Sequence, residues 1–145
     1  YLYMTGGGSL HPPTHETVDQ KMHYVHQDGR TVFKQAIGGM SDMSGRLLER
    51  NGVPGDAVKL LIPHQANLRI IDSVARKLNL KPEQVMVNIQ KYGNTTAATI
   101  PMAMSEAWAE GMMDPGDPII LSAFGAGFTW GSLLLTWTMA RQSGS

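Results

Sequence analysis

Two short apolar runs, Val58 to Ile62 and Ile119 to Ala123, stand apart in the chain with helical-period sequence between them. The first is too short for a helix and stops at Pro63. Strands that alternate with helices in this way fold as a layered α/β sheet. The turn Phe124-Gly125-Ala126-Gly127 then leads into a final strand over Trp130 to Met139, so the last two strands form an antiparallel hairpin.

The remaining elements follow from period and punctuation. From Gly29 to Arg50 the apolar residues Val32, Phe33, Ala36, Ile37, Met40, Met43 and Leu47 recur at helical spacing, and Asn51-Gly52 stops the helix. A helix is expected over Ala66 to Leu78. Val85 to Ile89 alternates toward β structure until Tyr92-Gly93-Asn94 breaks it. Thr95 or Thr96 caps an Ala-rich helix that runs to Glu110. Ahead of all this, strand-like Tyr1 to Met4 gives way to Gly6-Gly7-Gly8-Ser9 and His11-Pro12-Pro13, a surface loop. The organisation expected is 1–28 as a partial strand and Gly/Pro/His-rich loop, 29–139 as the domain, and 140–145 as a tail.

Composition sets limits on function. The 145 residues suffice for one core, and 42% hydrophobic with 17% charged residues places the chain among soluble globular proteins. Twelve Lys plus Arg against twelve Asp plus Glu leaves no global field to draw nucleic acid, so an anion must be met by a local patch. With no cysteine there is no disulfide, no thiolate metal site and no cysteine nucleophile. No run of about 18 apolar residues exists to cross a membrane, and the opening residues lack the form of a signal peptide, which leads to a cytoplasmic expectation. The chain starts without Met, as though inside an element, and is expected to be part of a longer protein. His11, His15, His23 and His26 lack one regular element to orient four rings on a metal, so no metal site is expected.

In open α/β sheets reacting groups gather beyond the carboxyl ends of strands. Three segments occupy such places: Pro63-His64-Gln65-Ala66-Asn67, Tyr92-Gly93-Asn94-Thr95 and Phe124-Gly125-Ala126-Gly127-Phe128. The helix start after His64 favours a neutral imidazole, which donates one hydrogen bond. Gly93 permits a left-handed turn that presents the Asn94 amide to a pocket. Two neutral donors converging on one point stabilise an oxyanion such as a thioester enolate. Spacing alone leaves the alternatives open: His64 or Asn94 as a cap or satisfied polar group, Asn67 as a helix cap, Phe124 as a core aromatic, and the glycine turn as a plain bulged hairpin.

The segments 63 to 67, 93 to 95 and 124 to 131 together resemble, in order and spacing, three late motifs of the β-ketoacyl-acyl-carrier-protein synthase III family. The resemblance runs from Gly29 to Trp137, and the first twenty-odd residues contribute nothing to it. It implies a thiolase-like fold of two similar halves, this chain being the C-terminal half of the layered αβαβα architecture with a mixed sheet. It also implies a decarboxylative Claisen condensation that starts fatty-acid synthesis. There, a cysteine of the N-terminal half takes an acyl group from acyl-CoA, and malonyl-acyl-carrier protein supplies the carbanion. By this resemblance His64 and Asn94 are catalytic, Asn67 assists His64, and Phe124 lies near the reacting carbons. Gly29, Phe33 and Ala36 then wall the pantetheine arm, while Arg69 binds the carrier protein.

Arg69 and Arg76 lie seven apart on one helix face with Lys77 beside them and Lys34 on the long helix, a local basic patch suited to an acidic carrier. An ordinary solvated helix face explains the same cations. No cofactor is implied. The missing cysteine also suits a binding subunit that docks carrier protein or CoA without condensing anything, and a polyketide-type condensing enzyme shares the same fold. A lone half leaves its pairing face uncovered, so association with the missing half or with another copy is expected, the full-length protein being a homodimer.

Overall fold

The computed structural model describes residues 1–140. The proposed tail falls outside the described residues from position 141 onward. At the start, β1 (Leu2–Tyr3) pairs antiparallel with β2 (His26–Gln27), and between them lies the short helix α1 (His15–Asp19). Then come α2 (Gly29–Asn51), β3 (Leu60–Pro63), α3 (Leu68–Lys77), α4 (Ile89–Tyr92), α5 (Thr99–Glu110), β4 (Pro118–Gly125) and β5 (Thr129–Thr136).

A three-stranded mixed sheet organises the core in the order β3-β4-β5, with β3 parallel to β4 and β4 antiparallel to β5. Side-chain alternation along its strands splits the core in two. Leu61 and Ile120 face α2 and α3, where Ala36, Ile37, Met40, Ile71 and Val74 cover them. Leu60, Ile62 and Ile119 face the other way, onto Ala103 and Ala107 of α5, Met113 and Trp137. β3 is buried along its whole length, which is why it reads as a continuous apolar run rather than an alternating one.

The long helix α2 begins where the Asp28 carboxylate accepts the Thr31 N–H at 3.1 Å, and it ends at Gly52, whose φ of 62° suits a glycine. Its buried stripe drifts from the expected one. Beyond Met40 the buried positions are Ser44 and Leu48, not Met43 and Leu47. Ser44 is buried without penalty because its hydroxyl meets those of Ser122 at 3.2 Å and Ser132 at 2.9 Å on β4 and β5.

Five other expectations change. Val85 to Ile89 forms no strand: one parallel bridge joins Val85 to Leu61, and Ile89 already opens α4. The helix expected from Ala66 begins at Leu68, after Asn67 caps it. α5 begins at Thr99 after a single 3₁₀ turn over Thr96–Ala98, with no side-chain cap from Thr95 or Thr96. The surface loop contains α1, closed by a reciprocal capping box between Thr14 and Thr17, and the last strand ends at Thr136.

Candidate active site

His64 leaves the end of β3 with its backbone N–H donating to the Ser122 carbonyl at 2.8 Å, one step beyond the last β3–β4 pair. Its Nδ1 lies 2.5 Å from Oγ1 of Thr99, the first residue of α5. Burial holds the imidazole below its usual pKa, so the ring is neutral near pH 7. The neutral ring agrees with the expectation from sequence; its cause here is desolvation rather than a helix start.

Asn94 follows Gly93, whose φ of 66° and ψ of −158° only glycine adopts freely. The Asn94 Oδ1 accepts the Thr96 N–H at 2.9 Å. With its carbonyl end engaged, the amide has its two N–H donors left to present. Both side chains are thus tied back to one turn, residues 96 to 99, and both line the same two clefts.

The smaller cleft, about 520 Å³, runs from His64 and Asn94 past Phe124 to Trp130. The larger, about 840 Å³, shares His64, Asn94 and Phe124 and extends along Gly29, Phe33 and Ala36 to Asn67 and Arg69. Leu2 and Val25 also line it, so the opening segment helps to wall the cleft. Arg69 lies over the Phe33 ring, 5.0 Å from its centroid. Asn67 is also the cap of α3, its Oδ1 accepting the Arg69 N–H at 2.9 Å. Arg76, Lys77 and Lys34 are exposed and line neither cleft; Arg76 donates instead to Ser73 at 3.2 Å.

Phe124 pairs with Trp130 across the hairpin, rings parallel within 5° and 6.4 Å apart, and meets Phe128 at 5.1 Å. The glycine turn is a hairpin, with Thr129 Oγ1 donating to the Ala126 carbonyl at 2.7 Å. Gly125 and Ala126 also line the smaller cleft.

Two residues escaped the sequence reading. Thr99 holds the His64 ring, and Gln65, 1% exposed, accepts the backbone N–H groups of Asn88 and Ile89 at 3.0 and 3.2 Å. The second stood inside a motif already singled out. Nothing local marks the first.

The family model of 3-oxoacyl-[acyl-carrier-protein (ACP)] synthase III, C terminal, matches residues 48–137, more than half of the chain. The chain belongs to this family. A β-ketoacyl-[acyl-carrier-protein] synthase III of Koribacter versatilis is 56% identical over 137 residues, 94% of this chain and 41% of the relative. Among solved structures, the synthase III of Aquifex aeolicus is 50% identical with a TM-score of 0.77, covering 79% of this chain and 37% of that one. That of Pseudomonas aeruginosa is 37% identical with a TM-score of 0.82, covering 97% and 41%.

The fold is the thiolase-like fold of the synthase III family, and the chain spans about two fifths of the relatives it matches. Its alignment to the Koribacter relative takes in 137 of 145 residues, so the segment before Gly29 belongs to the match too, which the motifs did not reveal. No helix among the described residues is long and apolar enough to cross a membrane.

Proposed function

We propose that the chain supplies the carbanion-stabilising half of a β-ketoacyl-[acyl-carrier-protein] synthase III. In this reading a cysteine of an N-terminal half carries the acyl group taken from acyl-CoA, and malonyl-carrier protein enters the shared cleft. The malonyl C–C bond breaks with loss of CO2, and its electron pair forms a thioester enolate held by the His64 Nε2–H and the Asn94 amide. The enolate carbon attacks the acyl-cysteine carbonyl, and the thiolate leaves. The observation that carries the reading is the shared cleft: His64 and Asn94 both line it, each with its other polar end already tied down.

Phe124 would shield the reacting carbons, and Asn67 would keep the loop after His64 in place. Gly29, Phe33 and Ala36 would wall the pantetheine arm, with Arg69 at the mouth and Arg76, Lys77 and Lys34 as a more distant carrier-docking surface. Residues 29–139 form the condensing domain in this reading, and the reaction needs no cofactor. The complete enzyme is a cytoplasmic homodimer. β5 is an edge strand that exposes Leu133, which supports association with a further half.

The test is a chimera in which this chain replaces the matching 137 residues of the Koribacter relative. Condensation of acetyl-CoA with malonyl-carrier protein is expected, lost by at least a hundredfold in His64→Ala and in Asn94→Ala. A folded chimera that acetylates its cysteine but never condenses, or variants as active as the parent, would sink the condensing role and favour the binding subunit.

A further inference from the structure

We propose that Thr99 is a positioning residue: its hydroxyl donates to Nδ1 of His64 and so fixes the imidazole as the tautomer with its proton on Nε2. The inference rests on the enolate-stabilising role of His64 proposed above. A neutral imidazole has one donor and one acceptor nitrogen, and whichever nitrogen bears the proton decides what the cleft meets. A protonated Nε2 is an oxyanion donor; a bare Nε2 repels the same charge.

Thr99 is 2% exposed, so no solvent competes for its hydroxyl. Two neighbours can take the single hydroxyl proton: His64 Nδ1 at 2.5 Å and the Thr96 carbonyl at 3.0 Å. That carbonyl already accepts the Thr99 backbone N–H, which closes the 3₁₀ turn. Giving the hydroxyl proton to the ring therefore leaves no buried acceptor unserved. The reverse arrangement, with Nδ1–H donating to Oγ1, also satisfies every group but leaves Nε2 bare, with no proton to offer the cleft that His64 lines. The hydroxyl end of Thr99 thus does for His64 what the Thr96 N–H does for Asn94, whose Oδ1 it holds so that the amide presents N–H. Both donors take their polarity from the same turn, whose residue Thr96 has a φ of +54°.

The placement also limits rotation of the ring. β3 fixes the His64 backbone through the Ser122 carbonyl, and α5 fixes Nδ1, two elements that pack together through Ile62 and Ala103. Thr99→Val removes the hydroxyl at nearly constant volume, and Thr99→Ser restores it.

The deciding measurement is long-range proton–nitrogen NMR of the chain with nitrogen-15 histidine, the His64 signals assigned by their loss in His64→Gln. At pH 8 the expected spectrum has His64 protonated at Nε2 with Nδ1 bare. In Thr99→Val the two tautomers mix, and in Thr99→Ser the single form returns. A parent chain protonated at Nδ1, or a Thr99→Val spectrum indistinguishable from the parent, overturns the proposal. The parent spectrum alone can do so even if the valine variant does not fold.

In the Koribacter chimera, malonyl decarboxylation by Thr99→Val should fall about tenfold in kcat with KM within twofold, the loss of one orienting hydrogen bond, and Thr99→Ser should recover most of it. Failure of the enolate reading shows separately, as a chimera indifferent to His64→Ala whatever its tautomer.

Discussion

Gln65 reaches across from the loop after β3 and accepts the backbone N–H of Asn88 at 3.0 Å, joining the His64 loop to the segment that leads to Asn94. Its Oε1 also accepts from Ile89 at 3.2 Å, while its Nε2 donates to the carbonyls of Pro63 at 2.8 Å and Met86 at 3.2 Å. The amide orientation is fixed by its partners, since N–H groups face the oxygen and carbonyls face the nitrogen.

Gln65→Leu keeps the volume and removes all four bonds. The buried Asn88 N–H then loses its acceptor at a cost of about 1–3 kcal/mol, and the half-buried Ile89 N–H loses its own at a smaller one. Urea unfolding should show a loss of about 2–4 kcal/mol. A loss under about 1 kcal/mol would mean that the Asn88 segment finds other partners and that Gln65 is not what joins the two loops.

The same bond explains what the sequence conceals. Val85-Met86-Val87 has strand chemistry, and Val85 does make one bridge to Leu61. Pairing stops there because Gln65, more than twenty residues upstream, takes the next N–H groups, and a long-range side-chain bond leaves no local trace. Likewise Thr14 and Thr17 carry a cap signal that neighbouring Gly and Pro obscured. α2, β3 and β4 were legible because burial imposes their periods. His64 and Phe124 were legible because they stand at the ends of β3 and β4, where such residues gather. Asn94 follows α4 instead of the strand expected at Val85 to Ile89, so the strand-end rule reached it through an element that does not form. Thr99 looks like any helix-start threonine until the fold brings it to the ring.

His64 gives a pH dependence of stability. Its folded-state pKa lies below the ordinary value because burial disfavours the imidazolium. Below about pH 6.5 the unfolded chain binds a proton that the folded chain refuses. Stability from this group is therefore complete above about pH 6.5 and is lost as pH falls from there toward the folded pKa. Chemical denaturation at pH 7.5 and 5.5 should show a larger drop for the parent than for His64→Gln. Equal drops would place the ring in water.

Gly39 sets two magnitudes against each other. Alanine in a helix interior gains about 1 kcal/mol over glycine. Here, however, a Cβ would lie 2.6 Å from Cδ2 and 2.8 Å from Cγ of Trp130. Both atoms belong to the rigid ring, so the whole indole must shift, and overpacking of this kind costs about 1–3 kcal/mol. Gly39→Ala should be destabilised by about 1 kcal/mol net. Because Trp130 stacks on Phe124, its fluorescence should shift as well. Stabilisation with unchanged fluorescence would show that α2 can move off the hairpin.

Arg69 is, with Arg30, one of two exposed arginines that line the larger cleft and could meet an anionic chain entering it. Among the described residues none of the ion pairs involves it, and its guanidinium rests on Phe33, so its charge is held in place without being neutralised. An exposed charge at a cleft mouth acts mainly on encounter and docking, not on chemistry. In the Koribacter chimera, Arg69→Ala should raise KM for malonyl-carrier protein about tenfold, a change of about 1.4 kcal/mol, with kcat within twofold. Arg69→Lys keeps the charge but loses the flat stack, so it should fall between the two. The difference from the parent should shrink as salt screens the exposed charge. A kcat effect with KM unchanged would move Arg69 from docking to the chemistry proposed for the part of the cleft lined by His64 and Asn94.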